Sequence, residues 1–594
     1  MKEVAYKPAR HKSCGGKSCA MRCQISSPPL PKPWSVDTKQ EPEHFSQRPA
    51  RIREIHRIRS MLRFPKYALA FLLAPVAAIH AEDTAMKEGN ARVVLVGDSI
   101  TGLSRNYATG FAKQMDWALQ EVHPGCKPDI VALGGSGQGV PSWLEVESRS
   151  RTQVALLDVP GIDVKATLAQ PADVLVIMLG MNDVLLPHVA DDADLKQWEI
   201  WYRQLIGNLQ SRIHPKVTAL ATASLCTEDI NSPQNRMMDK LNTRAESLAK
   251  ELGLRVLPVN ATMREVLHQG RRRAPDFHVT YDFVHPNESG HIAVAMAMLQ
   301  GLGETKAAEK LARERLPQAI QKAAGAVPSL SHEITPLTVS NDVQQVFRVT
   351  CWLNPSAGAS GKMRLRLSGE GWEVKPEIID AAEGVFTVTG KPDHSENILK
   401  LEGTAGPQTL TQEVRLPAPW LVTASIQRPF WTKDTFDAAK ARGPVDEAIA
   451  QGSDFTQVPG MSWQRYFPSV NFTGGAASGN VDFYAITHPK KLDAGYAARW
   501  IYSDHDRAVK VNLGSKAFAC TMHLIVSLNA TDIYNGLLTA EPNRKKTVET
   551  HLHKGWNTLV VNSNHTQWQW QFSAELEGTA DDTLPDLRYA ISPQ

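Results

Sequence analysis

Residues 92–100, Arg-Val-Val-Leu-Val-Gly-Asp-Ser-Ile, decide the fold of the first folded region. Four consecutive aliphatic residues, Val93–Val96, read as a strand covered on both faces, because a half-exposed strand would alternate with polar residues. Gly97-Asp98-Ser99 follows at once, so the serine falls at a strand-to-helix turn, where a hydroxyl is presented at the top of a sheet. Asp and Ser in that position also suit an N-cap or a turn, so the tetrapeptide alone carries little.

The same grammar repeats down the chain. Short apolar runs at Asp129–Leu133, Asp173–Leu179, Lys216–Thr222 and Leu254–Val259 alternate with helical spacing over Asn106–Val122, Trp198–Ile213, Gln234–Leu252 and Ser289–Gly303. Buried strands separated by amphipathic helices predict a parallel sheet with helices on both faces. Ligands of such sheets bind outside the carboxyl ends of the strands. Polar residues gather at that edge. After the second run comes Gly134-Gly135-Ser136-Gly137-Gln138-Gly139, a loop whose backbone N–H groups can approach a ligand closely. It lacks the Gly-Lys-Ser/Thr ending of a phosphate loop. After the third run comes Gly180-Met181-Asn182-Asp183, where a side-chain amide can donate to a developing oxyanion. Ahead of the last helix stands Tyr281-Asp282-Phe283-Val284-His285-Pro286, with Asp282 three residues from His285 and able to orient its imidazole. No further His or carboxylate cluster completes a metal set around this pair, so no metal and no cofactor is expected.

These blocks, in the order Ser, Gly, Asn, Asp/His at one sheet edge, resemble the SGNH/GDSL hydrolase family. Its four marker residues are matched by Ser99, Gly137, Asn182 and His285. The resemblance covers about residues 91–303 and implies a three-layer α/β fold with strand order like flavodoxin. It also implies a serine ester hydrolase with Ser99 as nucleophile, His285 as base and Asp282 as its partner. The Ser99 and Gly137 N–H groups and the Asn182 side chain would form the oxyanion hole, with Asp98 and Asp183 in support. This sequence has Ala132-Leu133-Gly134-Gly135 where many members begin the second block with Asn, and Gly135 is the alternative donor to Gly137.

The flanks tell of export. Residues 1–60 hold 13 Lys/Arg against 5 Asp/Glu, so the remaining chain is mildly acidic although the whole carries +3. No basic surface argues for nucleic acid. In residues 61–81, Arg63 and Lys66 precede an apolar run from Tyr67 to Ile79 that ends near the small Ala81. That is the layout of a secretory signal peptide, too short to span a bilayer. A secreted or periplasmic protein is expected, with Met61 as its start and residues 1–60 as an extension outside the fold. Four cysteines beyond residue 81, Cys126, Cys226, Cys351 and Cys520, are too sparse for a disulfide framework. The first two belong at opposite edges of the sheet, too far apart to bridge.

Downstream, residues 304–326 are Ala/Lys/Glu-rich and read as a closing helix and spacer interrupted at Pro317. Beyond Pro328 the pattern turns to alternating, β-branched runs between Gly, Pro and Asn turns. Two β-sandwich domains are expected, an immunoglobulin-like one over 327–418 and a second over 419–594. In the latter, HLHKGWNTLVV and WQWQFSAEL resemble galactose-binding-like jelly-roll domains. Its Trp556, Trp568 and Trp570 can stack on sugar rings or fill the core. The function expected is removal of acetyl or similar small acyl groups from carbohydrate. A lipid esterase or lysophospholipase of the same family, and a non-catalytic carbohydrate-binding protein, are the alternatives.

Overall fold

The computed structural model describes residue 86 and residues 91–592, leaving out 149–161, 187–188, 283, 326, 338–343, 357–360, 392, 394–396, 424–425, 428–435, 469–479, 484–485, 487–492, 515–519, 541–545, 569, 580–583 and 585. The N-terminal extension, the 61–81 signal segment and Cys14, Cys19 and Cys23 lie outside the described residues. Five strands, β1 (Arg92–Asp98), β2 (Asp129–Gly135), β3 (Val174–Met178), β4 (Val217–Ala221) and β5 (Arg255–Leu257), pair in parallel in the order β2-β1-β3-β4-β5. This is the doubly wound order in which β1 and β3 meet at the topological switch point. β3 is buried at every position, as a strand covered on both faces must be.

Helices α1 (Ser99–Asn106) and α2 (Phe111–Val122) follow β1, and α3 (Val140–Ser148) and α4 (Val164–Leu168) follow β2. After β3 come α5 (Met181–Leu185) and α6 (Asp192–Ile213), after β4 α7 (Pro233–Glu251), and after β5 α8 (Val259–Arg271) and α9 (Glu288–Gly301). Helices α3, α6 and α7 pack in one set, and α2, α8 and α9 in another. The helix expected from Asn106 to Val122 begins only at Phe111, because Asn106 ends α1 and the chain turns between them. Gly110, the N-cap of α2, sits against α1, where a Cβ would meet the Ser104 carbonyl at 1.9 Å. The last expected strand ends at Leu257, and α8 begins directly after Pro258.

The stretch 304–326 forms α10 (Thr305–Lys310), a π-helical turn (Leu311–Arg315) and α11 (Leu316–Ala324). Pro317, in the first turn of α11, has no N–H to donate back, which accounts for the altered spacing just before it. Ala307, Leu311, Leu316 and Ile320 are buried in the same core as the parallel sheet. Each large aliphatic so buried stabilises by about 1.5–3 kcal/mol.

Beyond it the chain is antiparallel. β6 (Ser329–Leu337), β7 (Gln345–Asn354), β8 (Met363–Ser368), β9 (Glu373–Lys375), β10 (Ile378–Ile379), β11 (Glu383–Gly390), β12 (Asn397–Ala405) and β13 (Gln408–Leu416) make two four-stranded sheets, β6-β7-β11-β9 and β10-β8-β12-β13. Phe347, Val349, Phe386 and Val388 from one sheet share a core with Leu365, Leu367, Leu399 and Leu401 from the other. From Trp420 onward, an eight-stranded and a four-stranded sheet enclose a second core around Trp570, Phe483, Phe572, Val511 and Val561. Trp570 is a core residue there, whereas Trp556 lies at the surface. Cys126, Cys226 and Cys351 are buried free thiols. Among the described residues no helix is long and apolar enough to cross a membrane.

One contact sets the position of α1. A Cβ on Gly134 would lie 2.1 Å from the Asp98 carbonyl and 2.3 Å from the Gly102 nitrogen. Gly134 therefore lets α1 lie against the end of β2. Gly134→Ala is expected to push α1 away and destabilise the α/β region by about 1–3 kcal/mol, as overpacked cores do. Chemical denaturation followed by tryptophan fluorescence checks this, and an unchanged midpoint would contradict it.

Candidate active site

Strands β1, β2 and β3 end level. Gly97 pairs with Gly134 on one side and with Met178 on the other, and Asp98 pairs with Gly135. The loops that follow therefore open at one edge, which brings Ser99, Gly137 and Asn182 to the same place. Ser99 is the first residue of α1, capped by the Asp98 carboxylate, which accepts the Ile100 N–H at 2.9 Å. Its own N–H is one of the orphan donors of a helix start, on the side where the helix dipole favours negative charge.

The second wall comes from the loop ahead of α9. Ser99 Oγ lies 2.9 Å from His285 Nε2, and His285 Nδ1 lies 2.6 Å from Asp282 Oδ2. Asp282 is buried, and its other oxygen accepts the His285 N–H at 2.7 Å and the Val284 N–H at 3.1 Å. The carboxylate thus fixes both the ring and the backbone that carries it. Tyr281 N–H closes the loop on the His285 carbonyl at 3.0 Å.

Between these walls, Gly137 takes φ +69°, a conformation that side chains resist. Gly135 instead belongs to the β2 ladder and accepts the Gln138 N–H through its carbonyl at 3.3 Å. Asn182 Nδ2 donates to the Gln138 carbonyl at 2.9 Å, which ties the third block to the second. Ser99, Gly137, Asn182, Asp282 and His285 therefore converge at this edge.

Asp98 and Asp183 lie behind the site, both buried. Burial pushes the Asp183 carboxyl up to about 7, opposed by the Val140 N–H at 3.2 Å and reinforced by the charge of Asp98. Burial likewise pushes Asp98 up to about 6, opposed by the Ile100 N–H and by His285. No metal-ligating trio lies at this edge among the described residues. Asp504, His505 and Asp586 form such a group in the C-terminal region, exposed and paired with Arg507.

Sequence reading missed Glu228. It follows β4 at the same sheet edge, inside the run Cys226-Thr227-Glu228-Asp229, and its side chain is fully buried. Oε1 accepts the Val279 N–H at 2.9 Å, the Thr280 N–H at 2.8 Å and the Thr280 hydroxyl at 2.5 Å. Oε2 lies 2.7 Å from His278 Nδ1 and 3.5 Å from Arg271 Nη2. Burial alone would raise its pKa, but His278, Arg271 and Thr280 outweigh it and hold the carboxyl below its ordinary value. The anchored residues stand two and three positions before Asp282, so Glu228 holds the strandless loop in register. A carboxylate in the loop between β4 and α7, at the same sheet edge, was the available signal. Its behaviour as an anchor depended on partners fifty residues away.

The downstream sheets reach this anchor. Ser331 Oγ donates to the Arg271 carbonyl, Asn354 Nδ2 to the Arg272 carbonyl, and Arg272 pairs with Glu383 at 2.6 Å. A cavity of about 220 Å³ lined by Glu228, Arg271, Glu333, Ile334, Arg465 and Tyr466 lies at this junction.

Two outcomes follow from the buried carboxylates. Glu228→Gln leaves Arg271 and His278 facing a neutral amide, and losing one partner of a buried pair costs about 3–5 kcal/mol. Both unfolding free energy and ester turnover are expected to fall, and a fully stable, fully active variant would contradict the anchor. For Asp183, the folded pKa of about 7 exceeds the unfolded value near 4, so the folded state binds the extra proton in between. Its contribution to stability therefore falls as pH rises from about 4 to 8, by up to about 1.4 kcal/mol per pH unit. The stability of wild type minus that of Asp183→Asn, measured by denaturant titration at several pH values, should fall along that path. A constant difference would contradict it.

Comparison with known proteins matches residues 95–293 to the GDSL-like lipase/acylhydrolase family. An acetylxylan esterase of Geobacillus stearothermophilus is 26% identical over 234 residues, which span 37% of this chain and 97% of that protein. Among solved structures, Axe2, an acetylxylan esterase from the same organism, is 24% identical over 37% of this chain and 97% of its own, with a TM-score of 0.28. LAE5, an alpha/beta hydrolase enzyme from the metagenome of Lake Arreo, Spain, is 21% identical over 37% and 99%, with a TM-score of 0.29. Residues 95–293 are a GDSL-like lipase/acylhydrolase domain, and the chain is a carboxylic ester hydrolase.

Proposed function

We propose that the α/β domain removes acetyl groups from acetylated carbohydrate, with Ser99 as nucleophile, His285 as general base and acid, and Asp282 as the group that orients it. The observation that carries this reading is the continuous chain from Ser99 Oγ through the His285 ring to a buried Asp282, at 2.9 and 2.6 Å. With Asp282 accepting from Nδ1–H, the Nε2 lone pair faces the serine hydroxyl. Ser99 Oγ attacks the acetyl carbon and its proton passes to Nε2. The carbonyl oxygen becomes an oxyanion, received by the Ser99 and Gly137 N–H groups and by Asn182. Asn182 has two amide hydrogens, of which one holds the Gln138 carbonyl. The second is assigned to the oxyanion. Collapse expels the sugar hydroxyl, which takes the proton from His285. Water then repeats the sequence on the acetyl-serine and releases acetate.

The carbohydrate part rests on the named activity of the similar acetylxylan esterase and on the appended antiparallel sheets. We assign those sheets to an immunoglobulin-like and a galactose-binding-like β-sandwich. They hold the enzyme on an extended glycan, which raises the local substrate concentration at Ser99. The signal-like segment at 61–81 supports a periplasmic or secreted location.

Ser99→Ala is expected to abolish acetate release from acetylated xylooligosaccharide while leaving the folded structure intact. Asp282→Asn should bind substrate yet turn over up to ~10⁴-fold more slowly, by analogy with the serine triad. Acetate assays on both variants, with circular dichroism as the folding control, test the roles. Near-normal rates in Ser99→Ala would overturn the assignment. Turnover of long-chain lysophospholipid in place of the sugar ester would move the substrate to lipid.

A further inference from the structure

Tyr107 and Tyr281 are two of the few large hydrophobic residues exposed among those described; Tyr281 lies against the candidate base and Tyr107 against Tyr281. Tyr281 is 51% exposed, yet it is not loosely held. Its ring lies nearly parallel to that of His285, with centroids 5.7 Å apart and planes inclined by 16°. Its backbone N–H is bonded to the His285 carbonyl, and the adjoining Thr280 bridges to Pro286. Tyr107, at the end of α1, meets it edge-on at 6.3 Å and donates its hydroxyl to the Tyr281 hydroxyl at 3.3 Å. The result is a rigid aromatic corner with two phenolic hydroxyls at its tip. Burial pushes the Tyr281 hydroxyl up, so it stays protonated and can donate.

An ester splits into two halves, and the site treats them differently. The acyl oxygen turns toward the oxyanion donors, while the leaving alcohol must end on His285 Nε2 to receive its proton. Whatever covers the imidazole is therefore placed to touch the alcohol half. A rigid ring with a polar tip offers an apolar surface and hydrogen bonds together, which is what a pyranose presents on its C–H face and its hydroxyl rim. A plain alkyl alcohol would use neither.

We propose that Tyr281 and Tyr107 form the subsite for the alcohol half of the ester, in which a sugar ring lies against Tyr281 and hydrogen-bonds to the paired hydroxyls. This deepens, and rests on, the reading of the enzyme as a carbohydrate acetyl esterase. Tyr281 and Tyr107 are specificity-determining residues, since Ser99, His285 and Asp282 perform the chemistry.

The test compares kcat/KM on acetylated xylooligosaccharide with kcat/KM on ethyl acetate, whose alcohol has no ring. The ratio of the two is read for wild type, Tyr281→Ala, Tyr281→Phe and Tyr107→Phe. The ratio is expected to fall tenfold or more in Tyr281→Ala, mainly through KM on the sugar ester. It should fall by a smaller factor in each Phe variant, which keeps the ring and loses one hydroxyl. An unchanged ratio in Tyr281→Ala, even with both rates reduced, would overturn the subsite and leave Tyr281 as a support for His285. If wild type hydrolyses ethyl acetate but not the sugar ester, the carbohydrate reading itself fails, and the subsite with it.

Discussion

Asp282 and His285 sit on a loop that no strand of the sheet supports, so the geometry at Ser99 depends on the Glu228 carboxylate. Ser99, Gly137 and Asn182 are placed by the level ends of β1, β2 and β3, where ladder hydrogen bonds fix the register. Among the described residues no ladder of the parallel sheet reaches residues 278–285, which are held by local bonds such as Asn287 N–H to the Val279 carbonyl at 2.9 Å. One buried carboxylate instead takes two backbone N–H groups, a hydroxyl, a histidine and an arginine. Such a charge is tolerated in the interior only when every lone pair is used. The satisfaction of Glu228 and the placement of His285 are thus one structural fact.

The same arginine connects the loop to the rest of the chain. Arg271 ends α8, bonds the Glu228 carbonyl at 3.1 Å and receives Ser331 from β6 on its own carbonyl. The sheets after residue 327 are therefore more than a trailing appendage. Their first strand packs where the loop of residues 278–285 is anchored, beside the cavity that Glu228 and Glu333 share. The downstream sheets and the Ser99 edge therefore belong to one connected framework.

Legibility from sequence divides along physical lines. The parallel sheet was readable because its strands are buried on both faces and so appear as unbroken apolar runs. The candidate site was legible because the first three blocks each follow such a run, and Asp282 and His285 in the fourth are only three residues apart. What escaped depended on distant partners. Gly110 and Gly134 look like any turn glycine until the Ser104 carbonyl and α1 come within contact of them. Residues 304–326 looked like a spacer, since Ala-rich helices bury little per residue, yet Leu311, Leu316 and Ile320 lie in the main core. Trp570 and Trp556 share an aromatic-rich stretch, but only the fold separates the core residue from the surface one.

The chain from Ser99 through His285 to Asp282 is the centre of the account, and covalent trapping reads it most directly. Incubation of the full-length protein with a p-nitrophenyl alkylphosphonate, followed by intact and peptide mass spectrometry, should find one phosphonyl group per chain on Ser99. In His285→Ala the labelling should slow by orders of magnitude, because the hydroxyl then has no base to take its proton. A label on another residue, or equally fast labelling of Ser99 without His285, would contradict it.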